Sequence, residues 1–284
     1  MTFDHTAFAN APTNALTVDV EDWFHVSAFD PYLRRSAWDC CESRVEHNTA
    51  RLLDLLAGLG LRATFFTLGW VAMRHPQLVR RIAAAGHEVA SHGFDHRRVG
   101  SMSRAAFHAD VRNSRLLLED VAGVPVRGYR APSFSLALRD TAAYELLAEA
   151  GYRYSASVAP IRHDHYGDPA APRYPCRTPS GVLEIPVSTV RLGNRNWPCA
   201  GGGFFRLYPY ALTRWCLRRI NEGEGRPCNF YLHPWEIDPG QPRVPGLGPR
   251  TRVRHYLQLS RTWPRLRRLL RDFRWGRMDE VYAA

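Results

Sequence analysis

Through the amino-terminal half of this chain, short apolar runs alternate with helix-length amphipathic segments, and no other feature constrains the fold as much. Residues 15–20 (ALTVDV) form an apolar run that ends among acids, as expected of a buried parallel strand with polar groups at its carboxyl end. Residues 48–59 place Leu52, Leu55, Leu56 and Leu59 at helical spacing and stop at Gly60. The pattern then repeats. Strands are expected at 62–68 (RATFFTL), 87–90, 126–129 and 155–158, and helices at 76–85, 103–122 and 141–150. Strands alternating with helices at this spacing imply parallel strands joined by right-handed crossovers. No glycine-rich nucleotide fingerprint follows the first strand, so the repetition favours a barrel over an open sheet.

The rest of the chain is read on the same basis. Residues 161–179 and 194–205, rich in Gly, Pro, Asn and aromatics, are expected to be long loops over one face, with last strands at 182–187 and 229–232. No linker and no internal repeat divides the 284 residues, which suffice for a full core. The expectation is a single-domain α/β protein, a distorted (β/α) barrel with long loops. Residues 15–240 would be the catalytic barrel and 241–284 a basic helical extension packed on it. In that extension Trp263, Leu266, Leu269, Leu270 and Phe273 form one apolar helical face, and Arg265, Arg267, Arg268, Arg271 and Arg274 are expected largely outside it.

In barrels of this kind functional groups gather where strands end. Asp19, Glu21 and Asp22 crowd the end of the first strand, and three carboxylates in four residues repel one another unless a cation sits among them. Strand alternation puts Asp19 and Glu21 on one side, though a solvated capping cluster would also suit the pattern. His92 and His96 follow another strand and can converge on one metal if the loop between them makes a helical turn. Arg130 ends a further strand, before the rigid turn at Pro132, and His233 ends the last one. His5, His25, His75, His108, His163, His165 and His255 lack such company and read as surface or core residues.

Acids, paired histidines, arginine and histidine, each after a separate strand, resemble in that order the polysaccharide deacetylase family, carbohydrate esterase family four, with its nodulation-type deacetylases. The resemblance runs over residues 16–233. TVDVEDWFHVSAF, GYRAPSF, FYLHPWEID and the aromatic AGGGFFRLYPY stretch are similar to the subgroup found in exopolysaccharide loci of the exosortase type. The resemblance implies a distorted barrel with fewer than the usual eight strands. It implies a metal-dependent hydrolase that removes N-acetyl groups from N-acetylhexosamines of a bacterial exopolysaccharide or its lipid-linked precursor. Carried over by position, Asp19 would be the general base, Arg130 its orienting partner and His233 the general acid. His92, His96 and either Glu21 or Asp22 would hold one divalent metal, zinc foremost. Pro132, Ser133, Trp197, Phe204 and Trp235 would contact the glycan. Val20 interrupts the family's paired aspartates, Gly93 replaces the usual Ser or Thr, and no motif supplies a carboxylate behind His233.

Composition narrows the alternatives. The net charge of +11, carried almost wholly by arginine, favours an anionic partner, but no nucleic-acid motif accompanies it, and none is expected to bind. The basic side of the carboxyl-terminal helix could meet anionic lipid peripherally. Six cysteines without C-x-x-C spacing read as reduced thiols. Residues 1–13 carry no basic residue ahead of an apolar stretch, so a cytoplasmic location, with membrane association at most peripheral, is the expectation. A metal-dependent amidase acting on a small cyclic ureide or imide, and a catalytically silent glycan-binding module, are the rivals.

Overall fold

The computed structural model describes residues 12–164 and 166–284, so the reading of the amino terminus (residues 1–11), His5 and His165 lie outside the described residues. The strands are β1 (Asn14–Val20), β2 (Thr64–Thr67), β3 (Glu88–Ser91), β4 (Gly128–Tyr129), β5 (Tyr154–Ser155) and β6 (Cys176–Arg177). They continue with β7 (Leu183–Glu184), β8 (Thr189–Leu192), β9 (Arg195–Pro198), β10 (Asn229–Leu232) and β11 (Trp275–Gly276). The helices are α1 (Val45–Gly58), α2 (Gly69–Arg74), α3 (Pro76–Ala84), α4 (Arg104–Ala122) and α5 (Thr141–Glu149). The second half adds α6 (Gly202–Leu207), α7 (Tyr210–Arg218), α8 (Pro249–Tyr256), α9 (Leu259–Asp272) and α10 (Met278–Val281).

Among the described residues seven strands run parallel and consecutively in the order β10-β1-β2-β3-β4-β5-β7, one short of the usual eight. The sheet curls until its edges approach. Across the remaining gap Ser188 N donates to Asn229 O (3.3 Å) and Asn229 Nδ2 donates to Ile185 O (3.2 Å). Because successive strand side chains point to opposite faces, the sequence of β1 splits cleanly. Leu16, Val18 and Val20 join the large core between sheet and helices, whereas Ala15 belongs to a separate interior cluster with Phe66, Ala90, Tyr154, Ala156 and Ile185. Burying each such aliphatic or aromatic side chain contributes roughly 1.5–3 kcal/mol.

The carboxyl-terminal segment does more than pack a helix on the outside. β11 pairs in parallel with Asn14 and Ala15 of β1, and Met278 behind it enters the interior cluster fully buried. On α9 the predicted apolar face is present, with Leu266, Leu269 and Leu270 buried. One basic residue departs from expectation. Arg265 is half-buried and donates to the carbonyls of Phe205, Arg206 and Tyr208, the carbonyls left without helical partners where α6 ends. Two expected loops also contain structure: β6 lies within 161–179, and β9 and the start of α6 lie within 194–205. The β8–β9 hairpin is antiparallel and stands off the main sheet. No helix among the described residues is long and apolar enough to cross a membrane.

Candidate active site

Four strand ends converge at the carboxyl edge of the curled sheet. Asp19 lies in β1 and Glu21 just past it, His92 and His96 follow β3, Arg130 follows β4 and His233 follows β10. All of these except His233 are nearly or wholly buried. His233 keeps its side chain 17% exposed, facing a pocket of about 150 Å³ lined also by Ser133, Phe134, Tyr166, Tyr231 and Trp235.

Glu21, His92 and His96 each offer a ligand atom, and these atoms lie within 4.8 Å of one another. His96 Nε2 stands 2.9 Å from Glu21 Oε2. His92 Nδ1 meets Arg130 O at 2.8 Å, so Nδ1–H donates and the Nε2 lone pair is turned to the cluster. Glu21 Oε2 and His96 Nδ1 are buried without a hydrogen-bond partner among the described residues. Two neutral imidazoles and a carboxylate suit a divalent metal with an open position, so the donor set fits the expected ion. Asp22, the alternative ligand, faces elsewhere. Its Oδ1 accepts from Trp23 N, and its Oδ2 accepts from Ser43 Oγ (2.8 Å), Arg44 N (2.7 Å) and Val45 N (3.0 Å), tying β1 to the start of α1.

The histidine loop is not the helical turn that the spacing suggested. Gly93 (φ 74°) and His96 (φ 56°) are both left-handed, and the loop lies across the start of α2, whose Gly69 and Trp70 amides donate to the carbonyls of Gly93 (2.9 Å) and Phe94 (2.8 Å). A Cβ at position 93 would sit 3.0 Å from Asp110 Oδ2 and require a strained φ, which explains glycine where the family often has a hydroxyl residue. Asp110 of α4 braces the same loop by accepting from Phe94 N (3.2 Å), and burial raises its carboxyl to about 6. Among the described residues five non-glycines have positive φ, and three of them, His96, Ser133 and Phe134, line this one pocket. Backbone strain costs on the order of 1–3 kcal/mol per residue, so its concentration here marks a functional site.

Asp19 is held by Arg130, whose guanidinium is wholly buried inside the barrel. Its Nη1 donates to Asp19 Oδ1 (2.5 Å) and Thr17 Oγ1 (2.8 Å), Nε to Ala156 O (3.1 Å) and Nη2 to Asn229 Oδ1 (3.4 Å). The Phe66 ring lies 4.0 Å beneath the cation. On the opposite side of the pocket, His233 Nε2 is 3.8 Å from Asp19 Oδ2 and 3.5 Å from Glu21 Oε1.

The carboxylate behind His233, unread in the sequence, is Glu236. Its Oε2 lies 3.2 Å from His233 Nδ1 and accepts from His233 N, while its Oε1 accepts from Arg206 Nε at 2.8 Å. Burial alone would lower the His233 pKa, but Glu21 and Glu236 outweigh it and raise it to about 9. Burial likewise opposes ionisation of Glu236, and Arg206 with His233 overcomes this and holds it at about 2. Glu21 is similarly held below the carboxylate range: burial raises it, and the surrounding His96, His233 and His92 prevail. The signal for Glu236 was present as H-P-W-E, where a short helical turn returns the third residue after His233 to its ring.

Of the expected glycan contacts, Ser133 and Trp235 line the pocket, and Phe204 and Trp197 line grooves that continue from it. Trp235 is buried: it stacks on His233 (5.0 Å), is stacked in turn by His255 (4.3 Å), and donates to Glu21 Oε1 at 3.2 Å, so it braces the site. His255, read as unremarkable, thus backs the general-acid candidate, and burial lowers its own pKa to about 3. Pro132 is buried behind Gly93. Phe204 and Trp197 line grooves beyond the pocket, and Ser133 lines the pocket itself, with its Oγ 2.7 Å from Ser27 Oγ.

The curled parallel barrel thus sets the buried Glu21, His92 and His96 cluster beside a carboxylate, Asp19, braced by Arg130 and a histidine, His233, braced by Glu236. Residues 34–155 match the family Polysaccharide deacetylase, and the chain carries a domain of that family. Residues 156–283 match a domain of unknown function (DUF3473), so the two matches meet inside one sheet, directly after β5. A chitooligosaccharide deacetylase of Rhizobium leguminosarum bv. trifolii is 40% identical over 68 residues, 24% of this chain and 32% of its own. The chain spans about a third to a half of the length of the curated relatives it matches. Among solved structures, a Mycobacterium smegmatis protein assigned to the polysaccharide deacetylases superposes with a TM-score of 0.61 at 20% identity, covering 100% of this chain and 92% of that one. Puue allantoinase superposes at 0.58 with 16% identity, covering 97% and 90%. These structural likenesses show a shared fold and do not choose a substrate.

Proposed function

We propose that this protein is a metal-dependent N-deacetylase of N-acetylhexosamine residues in a bacterial exopolysaccharide or its lipid-linked precursor. The observation that carries the reading is the placement of Asp19, locked by Arg130, and His233, backed by Glu236, on either side of the Glu21, His92 and His96 cluster. A divalent ion there, zinc being our choice, would lower the pKa of a water towards about 7 and polarise the acetyl carbonyl. Asp19 accepts a proton from the attacking water as the water oxygen bonds to the acetyl carbon. The carbon–nitrogen bond then breaks, and His233 delivers its proton to the departing nitrogen, giving acetate and a free amine. Arg130 holds Asp19 and Glu236 holds His233, so little reorganisation accompanies the step. Ser133 and the Phe134 ring shape the pocket wall opposite. At about 150 Å³ the pocket lies below the roughly 300 Å³ of sites for drug-sized ligands, which suits entry of the acetamido arm while the sugar stays in the adjoining groove of about 860 Å³.

Acetate release from a panel of N-acetylated oligosaccharides tests this directly, with metal content measured on the same preparation. Hydrolysis of a cyclic ureide and none of any glycan would install the amidase instead. Glycan binding without acetate release would leave a silent module. Peripheral contact with anionic lipid is part of the same proposal, supported by exposed Arg261, Arg267 and Arg271 on one side of α9. With each basic residue contributing about 1 kcal/mol at an acidic surface, co-sedimentation with anionic vesicles at low salt is expected, and its absence removes the idea.

A further inference from the structure

The catalytic pocket is one end of a longer depression. Val26, Tyr166 and Trp235 line both the pocket and the groove of about 860 Å³, and Arg162, His163 and Phe204 continue from that groove into a further one of about 570 Å³. The far groove is framed by the β8–β9 hairpin. Its walls carry Arg162, Arg191 and Arg195 around the 48%-exposed ring of Trp197, and no aspartate or glutamate is among its described lining residues.

Several exposed arginines outside this groove are offset by acids, as in Arg62–Glu280, Arg104–Glu145 and Arg218–Glu222. In the nearer groove Asp164 takes both Arg250 (3.0 Å) and Arg254 (2.7 Å). In the far groove Arg191 donates only to neutral groups of its own hairpin, Gly193 O (3.2 Å) and Asn196 Oδ1 (3.0 Å). Three guanidinium groups in one concave, carboxylate-free wall raise the local anion concentration, and their planar forks match carboxylate or phosphate oxygens. The flat Trp197 face beside them offers an apolar platform with a polar rim, which suits a sugar ring.

We propose that the far groove is a subsite for an anionic sugar residue, bearing a carboxylate or a phosphate, in the same glycan whose acetylated residue enters the catalytic pocket. This rests on the deacetylase reading and adds the charge of the substrate to it. The test uses the full-length, metal-loaded protein and three matched N-acetylated oligosaccharides: neutral, uronate-bearing and phosphate-bearing. At low ionic strength the KM of one or both anionic oligomers should be about five- to tenfold below that of the neutral one, the sum of two or three partly exposed ion pairs. The advantage should shrink towards unity as salt approaches about 1 M, where the screening length falls to about 3 Å. Arg162→Gln/Arg195→Gln should cut the anionic-to-neutral ratio of kcat/KM by a similar factor, and if that variant fails to fold, the salt dependence of the wild type decides. Equal KM values for all three oligomers, with acetate released, overturn the subsite and leave the deacetylase standing. If no oligomer yields acetate, calorimetric titration of the same three onto Asp19→Asn protein decides: charge-selective, salt-sensitive binding supports the subsite, and equal affinities overturn it.

Discussion

Replacing Arg130 with methionine is the sharpest test of the structure, because the guanidinium is fully buried and every one of its partners is known. Methionine keeps an unbranched apolar side chain against Phe66 but removes the cation and all its donors. Asp19 Oδ1, Thr17 Oγ1, Ala156 O and Asn229 Oδ1 are then left in the barrel interior without the N–H groups that now reach them at 2.5–3.4 Å. The dominant cost is the carboxylate of Asp19, which is 1% exposed. Breaking a buried pair by removing one partner costs about 3–5 kcal/mol. At roughly 2–4 °C per kcal/mol for a domain of this size, the melting temperature should fall by about 6–20 °C. Urea unfolding of Arg130→Met, Asp19→Asn and the double variant forms a cycle in which neutralising Asp19 recovers part of the loss, with a coupling of about 0.5–3 kcal/mol. An Arg130→Met protein within about 1 kcal/mol of wild type, or a double variant as unstable as the sum of the singles, would refute the account of the interior.

His92→Ala, His96→Ala and Glu21→Gln should each lower bound metal at least tenfold by elemental analysis, whereas Asp22→Asn should leave metal content unchanged and instead loosen the start of α1. Asp19→Asn and His233→Ala should each reduce kcat by about 10²–10⁴-fold with metal retained; near-normal turnover in either removes that residue from the chemistry. Glu236→Gln should reduce kcat by up to about 10²-fold and, in the metal-free protein, move the His233 titration below its value of about 9, which an NMR pH series reads. The sign for stability follows from Glu236 itself: held at about 2, its carboxylate stabilises fully above its ordinary 4.5, and the contribution is lost as pH falls towards 2. Wild type should therefore lose more stability than Glu236→Gln between those two pH values; parallel curves would show that the pair with Arg206 contributes nothing.

The alternation of strands and helices was legible because each element is dictated by residues that are neighbours in the chain. Apolar runs ending in acids, leucines at helical spacing and glycines past helix ends all report local geometry; β1 to β4 with α1, α3, α4 and α5 lie where that geometry put them, and β5 (Tyr154–Ser155) only touches the expected 155–158. The order of the two carboxylates after β1 was not fixed by alternation: the strand ends at Val20, yet Glu21 lies with the histidines and Asp22 caps the turn beyond. The histidine loop misled because four-residue spacing was taken for a helical turn. The amides at the start of α2, Asp110 of α4 and a glycine in the left-handed region shape it instead, and two of those three lie outside the loop itself.

What tertiary structure alone decided has a common cause. Asp19 and Arg130 are 111 positions apart, and Arg206 stands 30 positions before the glutamate it holds. Such contacts exist only because a right-handed twist curls the parallel sheet until the ends of β1, β3, β4 and β10 face one pocket. The same curling opens the floor that Met278 fills and makes β11 part of the sheet. It also gives Trp235 a buried place between two imidazoles, which local sequence does not show. Local sequence determined which residue types end each strand; the closure of the sheet determined which of them meet, because side chains so far apart in the chain are brought within hydrogen-bonding distance only by the packing of the whole barrel.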